Sequence, residues 1–221
     1  MKLTTSFFPD VIEITENEVF SLVIEHKNTF LKLLHDLYMQ TDGSDGDVIL
    51  SEKDAIIKIS KSLELITSFV PFNLNEKRLL TRINSLLEKE ALNGSNYHIT
   101  MQLLADIERH ISSLSNHMPY TISCQDLTAS ALIKMCNVRI EDDCISEIER
   151  VLLYMSIVND LLGEKLFVFV NMTMFFSDLD MQGFIDTCNL HKYRVLLLDG
   201  VESTRFSGMR RLIIDKDLCT I

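Results

Sequence analysis

Two short, wholly apolar runs constrain the fold of this chain more than any other feature. LFVFV spans 166–170 and VLLL spans 195–198, and a helix-length segment separates them. Apolar runs of this length are typical of strands that are buried on both faces of a parallel sheet. Each run ends at a polar residue, Asn171 or Asp199, and such strand ends are where phosphates and cofactors bind in doubly wound sheets. The sequence therefore predicts an α/β fold built on a small sheet of the nucleotide-binding type.

The loop with which such a sheet binds phosphate is missing from the sequence. Neither G-x-x-x-x-G-K-[ST] nor G-x-G-x-x-G occurs, and the chain has only seven glycines. Asp199 stands where a nucleotide hydrolase would organise magnesium, but without the loop we interpret Asp199 and Asn171 as residues that cap strand ends. A degenerate nucleotide-binding enzyme that uses them is the alternative. G-x-S-x-G, HExxH and paired-carboxylate patterns are also absent, which indicates a protein that is not an enzyme.

The two ends of the chain supply the rest of the predicted sheet. Short strands are expected over 2–7 and 11–14, and a further apolar run covers 19–24. A helix over 29–39 follows, with Asn28 as its expected cap. RRLIID near the terminus is expected to form an edge strand, after a helix that Ser177 caps. We assign residues 1–50 and 164–221 to this α/β head.

Residues 51–163 are predicted to form a mainly helical leg inserted into the head. Apolar residues at helical spacing predict helices over 52–70, from Asn73 or Asn75 to Glu90, over 100–116, over 127–136 and over 143–162. Pro71 should end the first helix and Gly163 the last. The apolar faces should be buried, with Leu86 and Leu87 among the buried residues.

The charge distribution singles out one segment for an anionic partner. The net charge of −11 argues against nucleic acid for the average surface. Residues 51–92 alone reverse the sign, with seven basic side chains against six acidic ones. On the predicted helices, two basic stripes lie away from the apolar faces: Lys53, Lys58 and Lys61 on the first, and Arg78, Arg82 and Lys89 on the second. Such stripes can follow a phosphate backbone, and a merely solvated surface is the alternative.

Patterns for metal ions and for export are weak. DGSDGD at 42–47 lacks the full calcium-loop pattern and indicates an acidic surface turn. His110 and His117 have no third ligand nearby in the sequence, and the five cysteines form no CxxC pair, so we expect reduced thiols. The first residues do not form a secretory signal, and no apolar run approaches the roughly 20 residues of a membrane span. We therefore expect a cytoplasmic protein.

Four stretches, taken together and in this order, resemble a known family. They are IIKISKSLELITSFVPFNLN (56–75), LIKMCNVRIE (132–141), KLFVFVN (165–171), and VLLLDG (195–200) with IIDKDLCTI (213–221). Each is mostly core and weak alone, but their order and spacing run nearly the full length of the chain. The chain resembles the small DNA-end-binding accessory protein of type II-A CRISPR adaptation modules.

The resemblance implies a fold, an assembly and a role. Family members have a head similar to phosphate-loop proteins, without the loop and without hydrolysis, so no nucleotide cofactor is implied. They form a homotetrameric ring of heads and helical legs, and double-stranded DNA threads through its lysine-lined hole from a free end. They serve spacer acquisition alongside the CRISPR integrase complex and the guide-RNA nuclease. The remaining alternative is an acidic adaptor whose leg binds a basic partner protein.

The sequence departs from the family in one stretch that is associated with calcium. The family carries a dense acidic run before the second of the four motifs, whereas residues 114–126 here, LSNHMPYTISCQD, contain one acid, Asp126. Calcium normally takes six to eight oxygen ligands, several of them from carboxylates. The resemblance thus implies a calcium cofactor, whereas this stretch has too few carboxylates to hold the ion in the family's manner. We expect apolar packing around Met118, Tyr120 and Ile122 to hold the leg instead, or a metal to bind elsewhere.

Overall fold

The structure, a computed structural model, describes residues 1–70, 72–125 and 127–221. These residues form two compact units. The first comprises Met1–Phe72 with Cys144–Ile221, and the second comprises Asn73–Asp143. The expected boundaries of the leg, residues 51 and 163, both fall inside the first unit.

The secondary structure of the described residues is as follows. The strands are β1 (Lys2–Thr4), β2 (Ile12–Glu13), β3 (Val19–Ile24), β4 (Ile49–Glu52), β5 (Ala55–Ile57), β6 (Leu63–Ile66), β7 (Leu166–Val170), β8 (Arg194–Asp199) and β9 (Met209–Ile214). The α-helices are α1 (Lys27–Thr41), α2 (Ile59–Ser62), α3 (Lys77–Ala91), α4 (Gly94–Leu114), α5 (Ala129–Met135), α6 (Glu147–Leu162) and α7 (Asp178–Leu190).

A five-stranded parallel sheet is the centre of the first unit. Its strand order is β6-β7-β8-β3-β9. The two apolar runs are neighbours, with Phe169 opposite Leu197, and β9 is an edge strand that pairs with β3. The prediction of adjacent parallel strands is therefore confirmed. Every residue of β3 and β7 is buried, which explains why these strands have no polar alternation.

Helices and a second sheet bury the two faces of this parallel sheet. On one face, Leu22 and Leu198 belong to the same apolar cluster as Leu33 and Leu37 of α1. On the other face, the ring of Phe169 packs edge-on against Phe184 of α7, with centroids 5.4 Å apart. α7 begins as predicted, since the Ser177 hydroxyl accepts a hydrogen bond from the Asp180 N–H at 3.2 Å.

The second sheet is antiparallel, with strand order β2-β1-β4-β5. β1 and β2 confirm the predicted strands near the start of the chain, although both are shorter and neither joins the parallel sheet. Leu3 on β1 and Leu50 on β4 pair across the sheet and are buried in the same cluster as the α1 side of the parallel sheet. The small sheet therefore covers apolar surface that α1 alone leaves open.

The predicted helix over 52–70 is wrong. Residues 49–57 form the β4–β5 hairpin, only Ile59–Ser62 is helical, and β6 joins the parallel sheet beside β7. The expected apolar stripe is broken, because Ile56 and Val70 are 77% and 67% exposed. β-branched residues such as Ile56 and Ile57 favour strands, and pairing with distant strands overrides the local helical spacing. Pro71, the expected end of this helix, lies outside the described residues.

Apart from that of α7, the starts of the other predicted helices also differ from the prediction, most of all that of α4, which begins at Gly94 and not at residue 100. His26, and not Asn28, caps α1, because its Nδ1 accepts a hydrogen bond from the Thr29 N–H at 3.3 Å. α6 begins at Glu147 with Ser146 as its cap, four residues later than expected. α6 ends as predicted at Gly163, whose φ of +83° suits glycine.

The second unit contains α3, α4 and α5. The predicted burial of Leu86 and Leu87 on α3 is wrong, because they are 40% and 38% exposed and Leu79 is the buried residue of this helix. Asn75 does not cap α3. Its Oδ1 accepts from the Ile140 N–H at 2.8 Å and its Nδ2 donates to the Ile140 carbonyl at 3.1 Å, so it closes the unit by tying its two ends together.

Among residues 1–70, 72–125 and 127–221, no helix combines the length and the apolar character that crossing a membrane requires.

Candidate nucleic-acid interface

The first three predicted DNA-binding residues lie on bends of the first unit. Lys53 is at the tip of the β4–β5 hairpin, where Lys53 and Asp54 both have left-handed backbones with φ of +48° and +61°. Lys58 precedes α2 and Lys61 lies in its last turn. All three lysines are exposed. The helical stripe predicted for them does not exist, but a short basic segment at the surface does.

A surface cleft lies beside this basic segment. It has a volume of about 780 Å³ and is formed by the loop that follows α1 and by residues 56–61. Lys58 and Lys61 line it, and so do the polar residues Ser44 and Ser60. The two serines could not be predicted from the sequence, because only the pairing of β4 with β5 brings their segments together.

The other three predicted DNA-binding residues lie in the second unit. Arg78, Arg82 and Lys89 are exposed residues of α3. Arg78 forms an ion pair with Glu76, whose Oε2 lies 2.7 Å from the Arg78 Nε. Lys89 lies in the last turn of α3, where a positive charge is favourable next to the carboxyl end of a helix.

Asn171 and Asp199 lie at the carboxyl edge of the parallel sheet. The Asn171 side-chain oxygen accepts a hydrogen bond from the Gly200 N–H at 2.9 Å, and the Thr173 hydroxyl donates to Asp199 Oδ1 at 3.1 Å. These contacts fit the interpretation that both residues cap strand ends. α1 follows β3 after Glu25 and His26 alone, so this connection is too short to form a phosphate-binding loop.

Burial changes the acidity of Asp199. The residue is 1% exposed, and desolvation raises the pKa of its carboxyl to about 6, against the smaller lowering effects of the Thr173 hydroxyl and the Arg211 guanidinium. Its Oδ2 is buried without a hydrogen-bond partner among the described residues. Above this pKa the buried carboxyl is ionised, and its desolvation lowers the free energy of unfolding.

The described residues do not provide a metal centre. No group of three or more His, Cys, Asp or Glu residues among them is placed to hold a metal ion. In the acidic turn at 42–47, the Asp47 N–H donates to the carboxylate of Asp36 at 3.1 Å, so Asp36 anchors this turn. Asp126 lies outside the described residues.

The expected apolar packing in place of calcium is wrong for two of its three residues. Met118 and Tyr120 are 45% and 64% exposed. They belong to a stretch without regular secondary structure between α4 and α5, so no packed helix face covers them.

Comparison with known proteins adds two findings. Residues 40–218, most of the chain, match a family model described as CRISPR-associated protein (Cas_Csn2). The crystal structure of Stu0660 of Streptococcus thermophilus is similar in fold, with a TM-score of 0.51 at 16% sequence identity over 91% of this chain and 69% of that chain. At this level of identity, the structural likeness supports the α/β fold alone.

Proposed function

We propose that this chain, which belongs to the Cas_Csn2 family of CRISPR-associated proteins, binds the ends of double-stranded DNA during spacer acquisition. The match over residues 40–218 confirms the family resemblance. DNA-end binding is the part that goes beyond membership of the family.

The observation that carries the proposal is the exposed basic segment with Lys53, Lys58 and Lys61 in a chain of net charge −11. Exposed lysines attract phosphates without reading the base sequence, since phosphate contacts carry no sequence information. None of the three forms an ion pair with another described residue, so their charges are available to a partner. Arg78, Arg82 and Lys89 of the second unit are proposed as further backbone contacts.

We place this function in a homotetrameric ring that catalyses no reaction. An assembly of acidic subunits can turn its few basic surfaces inward, which concentrates positive potential around a DNA duplex. In this account, the parallel sheet is a scaffold of the phosphate-loop type that lacks the loop. The CRISPR integrase complex and the guide-RNA nuclease are the proposed protein partners.

Replacing Lys53, Lys58 and Lys61 together by alanine tests the assignment of the contacts. If each lysine neutralises one phosphate, the slope of log K against log salt should become shallower by about 2.7. The affinity for a linear duplex should fall roughly tenfold to a hundredfold at physiological salt. Fluorescence anisotropy over a salt series measures both quantities.

A matched variant controls for the change in net charge. Lys32, Lys192 and Lys216 are also exposed, and their replacement by alanine removes the same charge from other parts of the first unit. The control should leave the salt slope almost unchanged. Equal losses in the two triple variants would show that net charge, and not this segment, determines DNA binding.

A further inference from the structure

We propose that the cleft beside the basic segment binds a single nucleoside phosphate. The phosphate belongs either to a free nucleotide or to the unpaired terminal nucleotide of a DNA strand. In the second case, the inference rests on the proposed function and specifies what the protein recognises at a DNA end.

The size and the walls of the cleft suit one nucleoside. Its volume of about 780 Å³ falls in the usual range of small-ligand sites, about 300–1,000 Å³. Val48, Ile57 and Ile59 contribute apolar wall, and Ile56 at 77% exposure remains open to contact. Apolar side chains can cover the face of a base, whereas the outer surface of a duplex offers them only charged backbone.

The charges of the cleft suit a phosphate. Lys58 and Lys61 line it against one acid, Asp45. The ammonium group of the buried Lys165 donates to the Lys61 carbonyl and so fixes the backbone of this wall. Two lysines against one acid, in a chain with a net charge of −11, favour an anionic ligand.

The polar part of the wall is held in place by the fold. The Gln40 side-chain nitrogen donates to Asp36 Oδ2 at 2.7 Å and to the Val48 carbonyl at 3.0 Å. These bonds tie the end of α1 to the loop that forms one wall of the cleft. Ser44 and Ser60 line the cleft from its two segments and can bond to a sugar or to a base edge. A wall held in this way does not need to be ordered on binding.

The cleft is separate from the position where doubly wound sheets bind nucleotides. α2 leads directly into β6, and Lys165 directly precedes β7, so the cleft lies towards the amino ends of these strands. Asn171 and Asp199 are at the opposite, carboxyl edge. The proposed site is therefore not the remnant of a lost phosphate loop.

The test fills the cleft without changing its charge. Ser60 is exposed and lines the cleft, so we expect Ser60→Trp to block it. Ser68→Trp is the matched control, because Ser68 is an exposed serine of the same unit outside the cleft. The probes are thymidine 5′-monophosphate, a blunt duplex, and the same duplex with a short single-stranded 3′ extension.

We expect the wild-type protein to bind the extended duplex about fivefold more tightly than the blunt one, because covering one base with apolar side chains removes apolar surface from water. Ser60→Trp should abolish this preference and leave binding of the blunt duplex unchanged, and Ser68→Trp should retain the preference. That result supports the inference with a strand end as the ligand. Saturable binding of the mononucleotide without any preference for the extended duplex, lost in Ser60→Trp, supports it with a free nucleotide as the ligand.

The inference is overturned if the wild-type protein shows neither the preference nor mononucleotide binding, or if Ser60→Trp affects neither. Failure of the proposed function looks different, because both duplexes then stay unbound whatever happens to the mononucleotide. If circular dichroism shows that Ser60→Trp does not fold, Lys61→Met replaces it as the test variant. This variant removes one cation and should weaken mononucleotide binding about fivefold.

Discussion

Replacing Arg194 by alanine should lower the free energy of unfolding of the first unit by about 2–4 kcal/mol. The Arg194 Nη2 lies 2.6 Å from Glu16 Oε1, 2.9 Å from Glu52 Oε1 and 3.7 Å from Glu164 Oε2. The arginine side chain is 14% exposed. Without it, three carboxylates that belong to separate parts of the chain face one another with no cation between them.

The magnitude follows from how exposed each partner is. Glu164 is 78% exposed, so solvent screens its pair and it contributes little. Glu16 and Glu52 are 44% and 32% exposed, which places the loss below the full effect of breaking a buried pair. Urea denaturation measures the loss. Glu52→Gln in the Arg194→Ala background should restore part of the stability, because it removes one of the repelling charges.

A surface pair of the same unit provides the comparison. Lys2 and Glu13 approach to 3.8 Å but are 53% and 55% exposed. Lys2→Ala should therefore change the free energy of unfolding by less than about 1 kcal/mol. If Arg194→Ala is as mild as Lys2→Ala, the arginine does not hold these three segments together.

Replacing Asp199 by asparagine should stabilise the protein most at high pH. The pKa of this carboxyl is raised from 3.8 to about 6 in the folded state. The folded state therefore binds the proton more tightly than the unfolded state, and the corresponding stability is lost as the pH rises through 6. Between pH 4 and pH 7.5, the advantage of Asp199→Asn over the wild-type protein should grow by about 2–3 kcal/mol.

The pH dependence separates this effect from other consequences of the substitution. The asparagine oxygen can still accept the hydrogen bond from Thr173. The asparagine NH2 group replaces Oδ2, which has no partner among the described residues. The loss from this unpaired group is the same at every pH. Thr173→Val removes the hydrogen bond that lowers the pKa of Asp199. The pH range over which the wild-type protein loses stability should therefore extend to higher pH. Urea denaturation at several pH values distinguishes these cases. Parallel curves for Asp199→Asn and the wild-type protein would contradict the account.

The parallel core of the fold could be predicted because its signals are local. The runs that form β7 and β8 are apolar throughout, and the helix between them begins with a serine cap and acidic residues in its first turn. Both faces of these strands are buried, by α1 with the small sheet on one side and by α7 on the other. Runs of five or six residues with Val and Phe, bounded by polar residues, favour a strand over a helix, which usually needs about ten or more residues.

The β4–β5 hairpin and β6 were missed because their determinants are not local. Ile56, Ile59 and Leu63 have helical spacing, yet Leu63 pairs with Leu166 across the parallel sheet. The hairpin turn uses Lys53 and Asp54 with positive φ, where Asn-Gly or Asp-Gly would have been a recognisable signal. The two strands that pair here are about a hundred residues apart in the chain, so a short window of sequence does not show that they pair.

The candidate site could be predicted only in part. Net charge and its local reversal pointed to Lys58 and Lys61, which the fold places at the cleft. Ser44 and Ser60 carry no motif, and they meet only because two strands pair. The buried Lys165 behind Lys61 is also a product of the tertiary fold.

The measurement that tests the proposed function most directly compares the retention of linear and closed circular duplex DNA as the salt concentration rises. The mass of the protein is determined by light scattering in the same buffer. We predict a tetramer that retains linear DNA, releases it through free ends and fails to load on closed circles. Equal binding of both forms would contradict the ring and leave only a basic surface. A monomer that does not bind DNA would contradict DNA-end binding and favour the alternative function, an acidic adaptor that binds a basic partner protein.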